Sequence, residues 1–326
     1  MVFPPLYRTN ERIESALGKL ESRRKAYILL SMISDKVDEL RRQSMVKSAL
    51  YSAKIGGNPL SIEEVVRHAI TSPAKPHMQE VINVVGGLQY LKSHSAEKIT
   101  THFLLGLHTM VLEGLAASSG RFRTEDKVLV NDEGVTVYLA PKAEDVLPMV
   151  IELCQWCNLA SDPAPAAAAI AHVWFEKIHP FADGNGRVGR LLISHILAQG
   201  DAGFYSIAPW EEQLAANRPA YLTALQGNQQ DVTEFVEFFV TTLAAAADAS
   251  LSALEDRHAD TRPDLLPRRA EILGVIRDHR MVSFDFIIRR FRAVPASTLH
   301  YDLRQLVKQG YVKKLGATRG VVYEAV

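Results

Sequence analysis

The sequence predicts a mainly α-helical protein with one β-hairpin and a small α+β unit at its C-terminal end. Three observations predict this. Apolar residues recur at helical spacing through most of the stretch from Glu11 to Leu243. The period drops to two only between Val128 and Leu139, around a polar turn. Beyond Pro263 and Pro267, short helical runs are followed by two strand-like segments. With 326 residues and 47% hydrophobic content, the chain can bury one large core or two unequal ones.

In order, Glu11–Asn58 reads as amphipathic helix, with Ile13, Leu17, Leu20, Ile28, Leu29 and Met32 between charged residues. Gly56-Gly57-Asn58-Pro59 stops it. Ser61-Ile62-Glu63-Glu64 is a capping box for a short helix to about Ile70. Further helices are expected over Met78–Ser93 and Lys98–Ala117, the second placing His108 in the core or at an interface. Val128–Leu139 is the hairpin. The only two cysteines, Cys154 and Cys157, fall in the helical run Val146–Leu159 and are expected as buried thiols, since a second metal-ligand pair is missing. Ala166–Ile178 and Leu191–Leu197 are core helices, and Trp210–Gln226 and Phe235–Leu243 complete the helical part.

Between those two core helices lies His179-Pro180-Phe181-Ala182-Asp183-Gly184-Asn185-Gly186-Arg187-Val188-Gly189-Arg190. A helix N-terminus offers unpaired N–H groups and a positive dipole end to an anion. Gly184 and Gly186 allow close backbone approach, and Arg187 and Arg190 share one side of the first turn. The implied ligand is a polyphosphate. Asp183 has the wrong sign for phosphate unless a divalent cation stands between them. His179 is the nearby group able to accept a proton near neutral pH. The stretch is no Walker A loop, because a lysine followed by Ser or Thr is missing.

The stretch resembles the signature of the Fic family, His-x-Phe-x-Asp/Glu-Gly-Asn-Gly-Arg-x-x-Arg, and matches every specified position. The resemblance implies an all-helical core that moves AMP from ATP onto a protein hydroxyl. It implies His179 as general base, Phe181 as the loop's anchor and Asp183 as the Mg²⁺ ligand. It makes Gly184, Asn185 and Gly186 the anion cradle, with Arg187 on the departing phosphates and Arg190 on the γ-phosphate. The phosphorylating, Doc-like branch carries a lysine where this chain has Gly186. Gly120-Arg121-Phe122-Arg123 fits a turn common in the family. The hairpin, with Val128, Val130, Val135 and Val137, corresponds to the family's flap, which aligns a target protein by strand addition. Tyr221 sits where the family often has a first tyrosine of a pair, but the second is Leu222 here. Many relatives carry an inhibitory motif Ser/Thr-x-x-x-Glu-Gly/Asn. Ser52, Gly57 and Asn58 fit it, yet the glutamate position is Gly56. The expectation is a de-inhibited enzyme with Arg190 free for the γ-phosphate. The alternative, that Gly56-Gly57 is simply a helix C-terminus, stays open.

Domain boundaries are expected at 1–95 (helical, with the inhibitory-type helix around 43–56), 96–245 (the Fic core), 246–267 (a linker) and 268–326. Zero net charge conceals a basic tail: residues 268–326 hold 12 Lys/Arg against 5 Asp/Glu. Three helices, Arg268–Asp278, Ser283–Phe291 and Ala296–Gln309, followed by a hairpin, resemble a winged helix. Ser297, Thr298, His300 and Arg304 are its candidate DNA contacts, against a protein-docking module of equal standing. No apolar run of 18 residues marks a membrane partner, and Met1-Val2-Phe3-Pro4-Pro5 is no signal peptide, so a cytoplasmic location is expected. The partners implied are Mg²⁺, ATP and a protein substrate, self-modification included, with a homodimer left open. The competing readings are a DNA-binding regulator whose core only senses nucleotide, and an enzyme resembling the Fic family that transfers another nucleotide or a phosphate group.

Overall fold

The computed structural model describes residues 4–33, 36–68, 76–130, 136–199, 203–227, 230–259, 265–279, 281–316 and 321–326, and only the backbone of 33, 68, 130, 137 and 255–259. The chain forms two compact units, Met1–Leu254 and Glu255–Val326.

The first unit is helical. The expected first helix is two, α1 (Glu11–Ile33) and α2 (Lys36–Ile55), on either side of positions 34–35. The helices α3 (Ile62–His68), α4 (Pro76–Ser93) and α5 (Thr101–Leu112) follow. The Ser61 capping box forms in full: the Glu64 amide donates to Ser61 Oγ (3.2 Å) and the Ser61 amide to Glu64 Oε2 (2.8 Å). Helix α5 is shorter than its pattern, because Thr100 caps its start and Gly114, at φ +70°, turns the chain away just past its end. Strands β1 (Val128–Val130) and β2 (Thr136–Leu139) pair antiparallel as the expected hairpin, Val128 opposite Leu139. The tip at 131–135, and with it Val135, lies outside the described residues.

Helices α6 (Val146–Leu159), α7 (Ala164–Ile178) and α8 (Asn185–Gln199) build the centre. In α7, Ala166 to Ala169 are all buried, and their small side chains let neighbouring helices approach. Helix α7 packs along α8, α6 lies on α7, and α4 crosses between α2 and α8. At the α7–α8 approach, a Cβ on Gly189 would stand 2.7 Å from Glu176 Oε1 and 2.9 Å from His172 Nδ1, so this position must be glycine. The single helix expected over Trp210–Gln226 breaks at Asn217 into α9 (Trp210–Ala216) and α10 (Arg218–Gln226). Helix α11 (Thr233–Ala259) takes up the first half of the expected linker; its alanine-rich run has nothing to stop it before 260. By length and composition, Thr233–Leu254 could cross a membrane. Phe235, Val236, Phe239, Val240, Leu243, Ala247 and Leu251 are buried in this unit's core, so packing accounts for that apolarity.

The second unit contains α12 (Pro267–His279), β3 (Met281–Ser283), α13 (Phe284–Arg290), α14 (Ala296–Lys308), β4 (Val312–Leu315) and β5 (Val322–Ala325). The two expected strands are there, joined by β3, in an antiparallel sheet of order β3-β5-β4. Its core is apolar, with Phe291 and Tyr323 among the aliphatic residues, and one charged group is buried in it. Asp302 is 0% exposed and accepts from Arg268 Nε (2.6 Å) and Arg269 Nε (2.9 Å), tying the first turn of α12 to α14.

Trp174 is fully buried in α7. Trp174→Ala should lower the unfolding free energy of the first unit by about 3–5 kcal/mol, read from chemical denaturation followed by circular dichroism.

Candidate active site

The loop between α7 and α8 gathers the signature residues. His179 is the C-cap of α7 and sits in the left-handed region, φ 48° and ψ 59°, where a non-glycine residue is held against its preference. What holds it is behind it. The Arg123 amide donates to Pro180 O (2.9 Å), Arg123 Nε to His179 O (2.8 Å), and the rest of the guanidinium to the Glu125 and Pro141 carbonyls. Lys127 Nζ donates to Ala182 O (3.2 Å), and the hairpin's Tyr138 hydroxyl to Lys177 O (3.1 Å). The hairpin root therefore lies against the loop that carries His179. Val128 and Leu139 are exposed there.

Phe181 is the loop's anchor, fully buried and stacked on His108 with ring centroids 3.7 Å apart. His108 does more than fill the core. Its Nδ1 accepts from the Gly120 amide (3.0 Å), which leaves Nε2 to donate to Asp183 O (3.1 Å). Asn185 is also a brace. Its side chain accepts from the Phe181 amide (2.9 Å) and donates to Phe181 O (2.8 Å), so only its backbone can belong to an anion cradle. Gly184 needs φ +81° to turn the chain into α8. The amides of Asn185, Gly186 and Arg187 then fall in the first turn, where a helix has no carbonyl to receive them.

Asp183 is exposed, and its carboxylate contacts Arg187 Nη2 at 3.3 Å. Among the described residues, no group of three or more His, Cys, Asp or Glu could hold a metal. An exposed carboxylate beside the unpaired amides of a helix N-terminus suits Mg²⁺ arriving with a nucleotide, since Mg²⁺ keeps few protein ligands. Arg187 also donates through Nη1 to Glu80 Oε1 (3.0 Å), a partner on α4 that no motif marks.

Arg190 corrects the expectation that it is free. It is 3% exposed and turned onto α2, with Nε donating to Ser52 Oγ (2.9 Å) and Nη2 to Ser52 O (2.6 Å). Gly186 leaves it room, because a Cβ there would come within 3.0 Å of Arg190 Nη1. Two carboxylates lie in the same buried region: Glu176 and Glu211 are each pushed up to about 7 by burial, and the Arg190 charge pulls both down. Helix α2 itself ends as a Schellman motif. The Asn58 amide donates to Ala53 O (3.2 Å), the Gly57 amide donates to Lys54 O (2.9 Å), and Gly57 takes φ +100°. That accounts for Gly57. Gly56 is exposed at a negative φ and is not required by the turn.

Other expected residues fare unevenly. Tyr221 is buried and hydrogen-bonded to His172 Nε2 (2.7 Å), so it stacks in the core and not on a ligand. Burial pushes the Cys154 thiol up to about 12 and Cys157 higher, which makes both poor nucleophiles. On α14, Ser297, His300 and Arg304 are exposed and Thr298 half-buried, but the His300 ring is stacked on Phe284 at 3.6 Å. Nothing is described of the Val130 and Val137 side chains.

Residues 98–197 match the model of the Fic/DOC family. A protein adenylyltransferase Fic of Nematostella vectensis is 26% identical over 253 residues, covering 74% of this chain and 56% of that protein. One from Drosophila melanogaster is 26% identical over 255 residues, covering 74% and 49%. The chain thus spans about half the length of the curated relatives it matches. The crystal structure of a Fic family protein from Desulfovibrio desulfuricans superposes with a TM-score of 0.73 over 99% of this chain and 98% of that one, at 21% identity. Fic-1 from C. elegans gives 0.57 over 76% and 72%, at 22%. These structures share the fold.

Burial, with the nearby Lys127 and Arg123 charges, lowers His179 to about 4 from an ordinary 6.5. Its imidazole should stay neutral down to about pH 4, as followed by histidine NMR. The unfolded chain takes up that proton first, so this group's contribution to stability is full above pH 6.5 and declines as pH falls toward 4. A His179 titration near 6.5 would contradict the burial argument.

Proposed function

We propose that this chain, which carries a Fic/DOC-family domain over residues 98–197, transfers AMP from ATP to a hydroxyl of a protein. The observation that carries the reading is the joining of a neutral, half-buried His179 to a glycine-lined helix N-terminus with Asp183 and Arg187 at its edge. The target hydroxyl gives its proton to His179 as its oxygen attacks the α-phosphorus. The bond from that phosphorus to the bridging oxygen breaks, and pyrophosphate leaves toward the α8 amides and Arg187. Asp183 would hold Mg²⁺ arriving with the nucleotide, and the ion would supply charge neutralisation for the phosphates. Strand addition along the hairpin, with Val128 and Leu139 exposed on it, presents the target segment beside His179.

The missing carboxylate at Gly56 shapes regulation in this reading. Arg190 is held by a hydroxyl and a carbonyl, both neutral, where a glutamate would supply an ion pair. A γ-phosphate competes better against neutral acceptors than against a carboxylate. The brake is therefore present but weak. The C-terminal unit, with its helix order and three-stranded antiparallel sheet, is read as a winged helix. Ser297 and Arg304 are its exposed nucleic-acid candidates on α14, while Arg268 and Arg269 are engaged by Asp302.

ATP labelled at the α-phosphate should transfer its label to protein, and γ-labelled ATP should not. His179→Ala should lower that transfer by about 10²–10⁴-fold while ATP binding persists; label arriving from the γ-position would overturn the reaction. Gly56→Glu should cut transfer sharply, and adding Ser52→Ala to the parent chain should raise it or leave it unchanged. An undiminished Gly56→Glu rate would remove α2 as a brake.

A further inference from the structure

Glu80 stands in the second turn of α4, far in sequence from the loop, and two donors converge on it. Arg187 Nη1 reaches Oε1 at 3.0 Å, and Asn58 Nδ2 reaches Oε2 at 2.7 Å. Both contacts are sheltered. The Arg187 side chain is 11% exposed and that of Glu80 26%, against 66% for Asp183, the other carboxylate on Arg187. Asn58 is itself fully occupied: Nδ2 also donates to His77 O (2.8 Å), and Oδ1 accepts from the Leu60 amide (3.1 Å). The result is a continuous chain from the turn just past α2 to the phosphate loop, Asn58–Glu80–Arg187–Asp183.

The chemistry of the position is specific. The two donors meet different oxygens of Glu80, and a carboxylate accepts at both. A glutamine would turn its NH₂ against one donor whichever way it lay. The two carboxylates on Arg187 also differ in what a nucleotide demands of them. Asp183 contacts Nη2 at 3.3 Å and must release it to face a cation. Glu80 holds the other arm and need not move. Without it, Arg187 would lose its anchor at the moment Asp183 lets go, and a free arginine side chain has many rotamers to lose on binding phosphate.

We infer that Glu80 is the positioning residue for Arg187: it holds the guanidinium at the lip of the phosphate site through Nη1, keeps Nη2 available to the phosphates, and couples the end of α2 to the site through Asn58. The inference rests on the reading of this loop as a nucleotide site. It also gives α2 a second connection to the signature arginines, independent of Ser52 and Arg190.

The test is titration calorimetry of the full chain with Mg²⁺·ATP and, separately, with inorganic pyrophosphate. Glu80→Gln should weaken both by about tenfold, the scale of one hydrogen bond to a charged group. Arg187→Ala should weaken them at least as much, and Glu80→Gln combined with Arg187→Ala no more than Arg187→Ala alone, because Glu80 acts only through Arg187. Asn58→Ala, which spares the ion pair but removes its brace, should give a smaller loss in the same direction. Unchanged or tighter binding in Glu80→Gln would overturn the inference, since a competitor for Arg187 predicts that gain. Losses that add in the double variant would overturn it as well, marking a general structural role. Binding is read without catalysis, so a parent chain that binds Mg²⁺·ATP yet moves the γ-label counts against AMP transfer and not against Glu80.

Discussion

A guanidinium taken out of water must be given acceptors, and the burial of Arg190 organises the first unit around that demand. Ser52 contributes two of its acceptors, a hydroxyl and a carbonyl, and the Tyr221 hydroxyl is a further partner. Two carboxyls share that interior, Glu176 from α7 and Glu211 from α9; burial raises both and the Arg190 charge lowers them. Two glycines of α8 make the geometry feasible: Gly186 leaves space for the guanidinium, and Gly189 lets α7 approach with Glu176 and His172 between the helices. Helix α2 therefore docks on α8 through a polar contact in an otherwise apolar interface. Removing one partner of such a contact leaves the other buried and unsatisfied.

The loop above it is stabilised by side chains that serve the backbone. Asn185 closes on both polar groups of Phe181, His108 takes the Asp183 carbonyl, and Arg123 takes the carbonyl of His179. This bracing offsets the strain of placing a histidine at φ 48°, a conformation that a helix C-cap usually reserves for glycine. A histidine there trades local comfort for direction. With its carbonyl fastened by Arg123, the imidazole is presented where α7 ends and α8 begins.

The second unit repeats the theme on a smaller scale. Asp302 is buried in an apolar core because Arg268 and Arg269 both reach it, and Arg269 also lies over the Tyr301 ring at 5.4 Å. Part of what the sequence displays as a basic tail is thus internal structure. The charge left to act on a partner is smaller than the composition suggests.

The sequence by itself determined the helical class, the hairpin, the Ser61 capping box and the loop that carries His179, Asp183, Arg187 and Arg190. These are readable because they are local: periodicity, cap chemistry and motif spacing all act within a few residues. The break at Asn217 does have a local cause, since Pro219 in the first turn of α10 lacks the N–H that would continue α9, whereas β3 is too short to show a period. Which side chains meet was decided only in the tertiary structure. Ser52 finds Arg190 across 138 positions, Glu80 finds Arg187 across 107, and His108 finds the Asp183 carbonyl across 75. Nothing in the local pattern distinguishes Glu80 from any solvated glutamate on a helix face. Its role appears only when folding brings α4, the end of α2 and the first turn of α8 to one point, because a carboxylate's function is set by the donors around it.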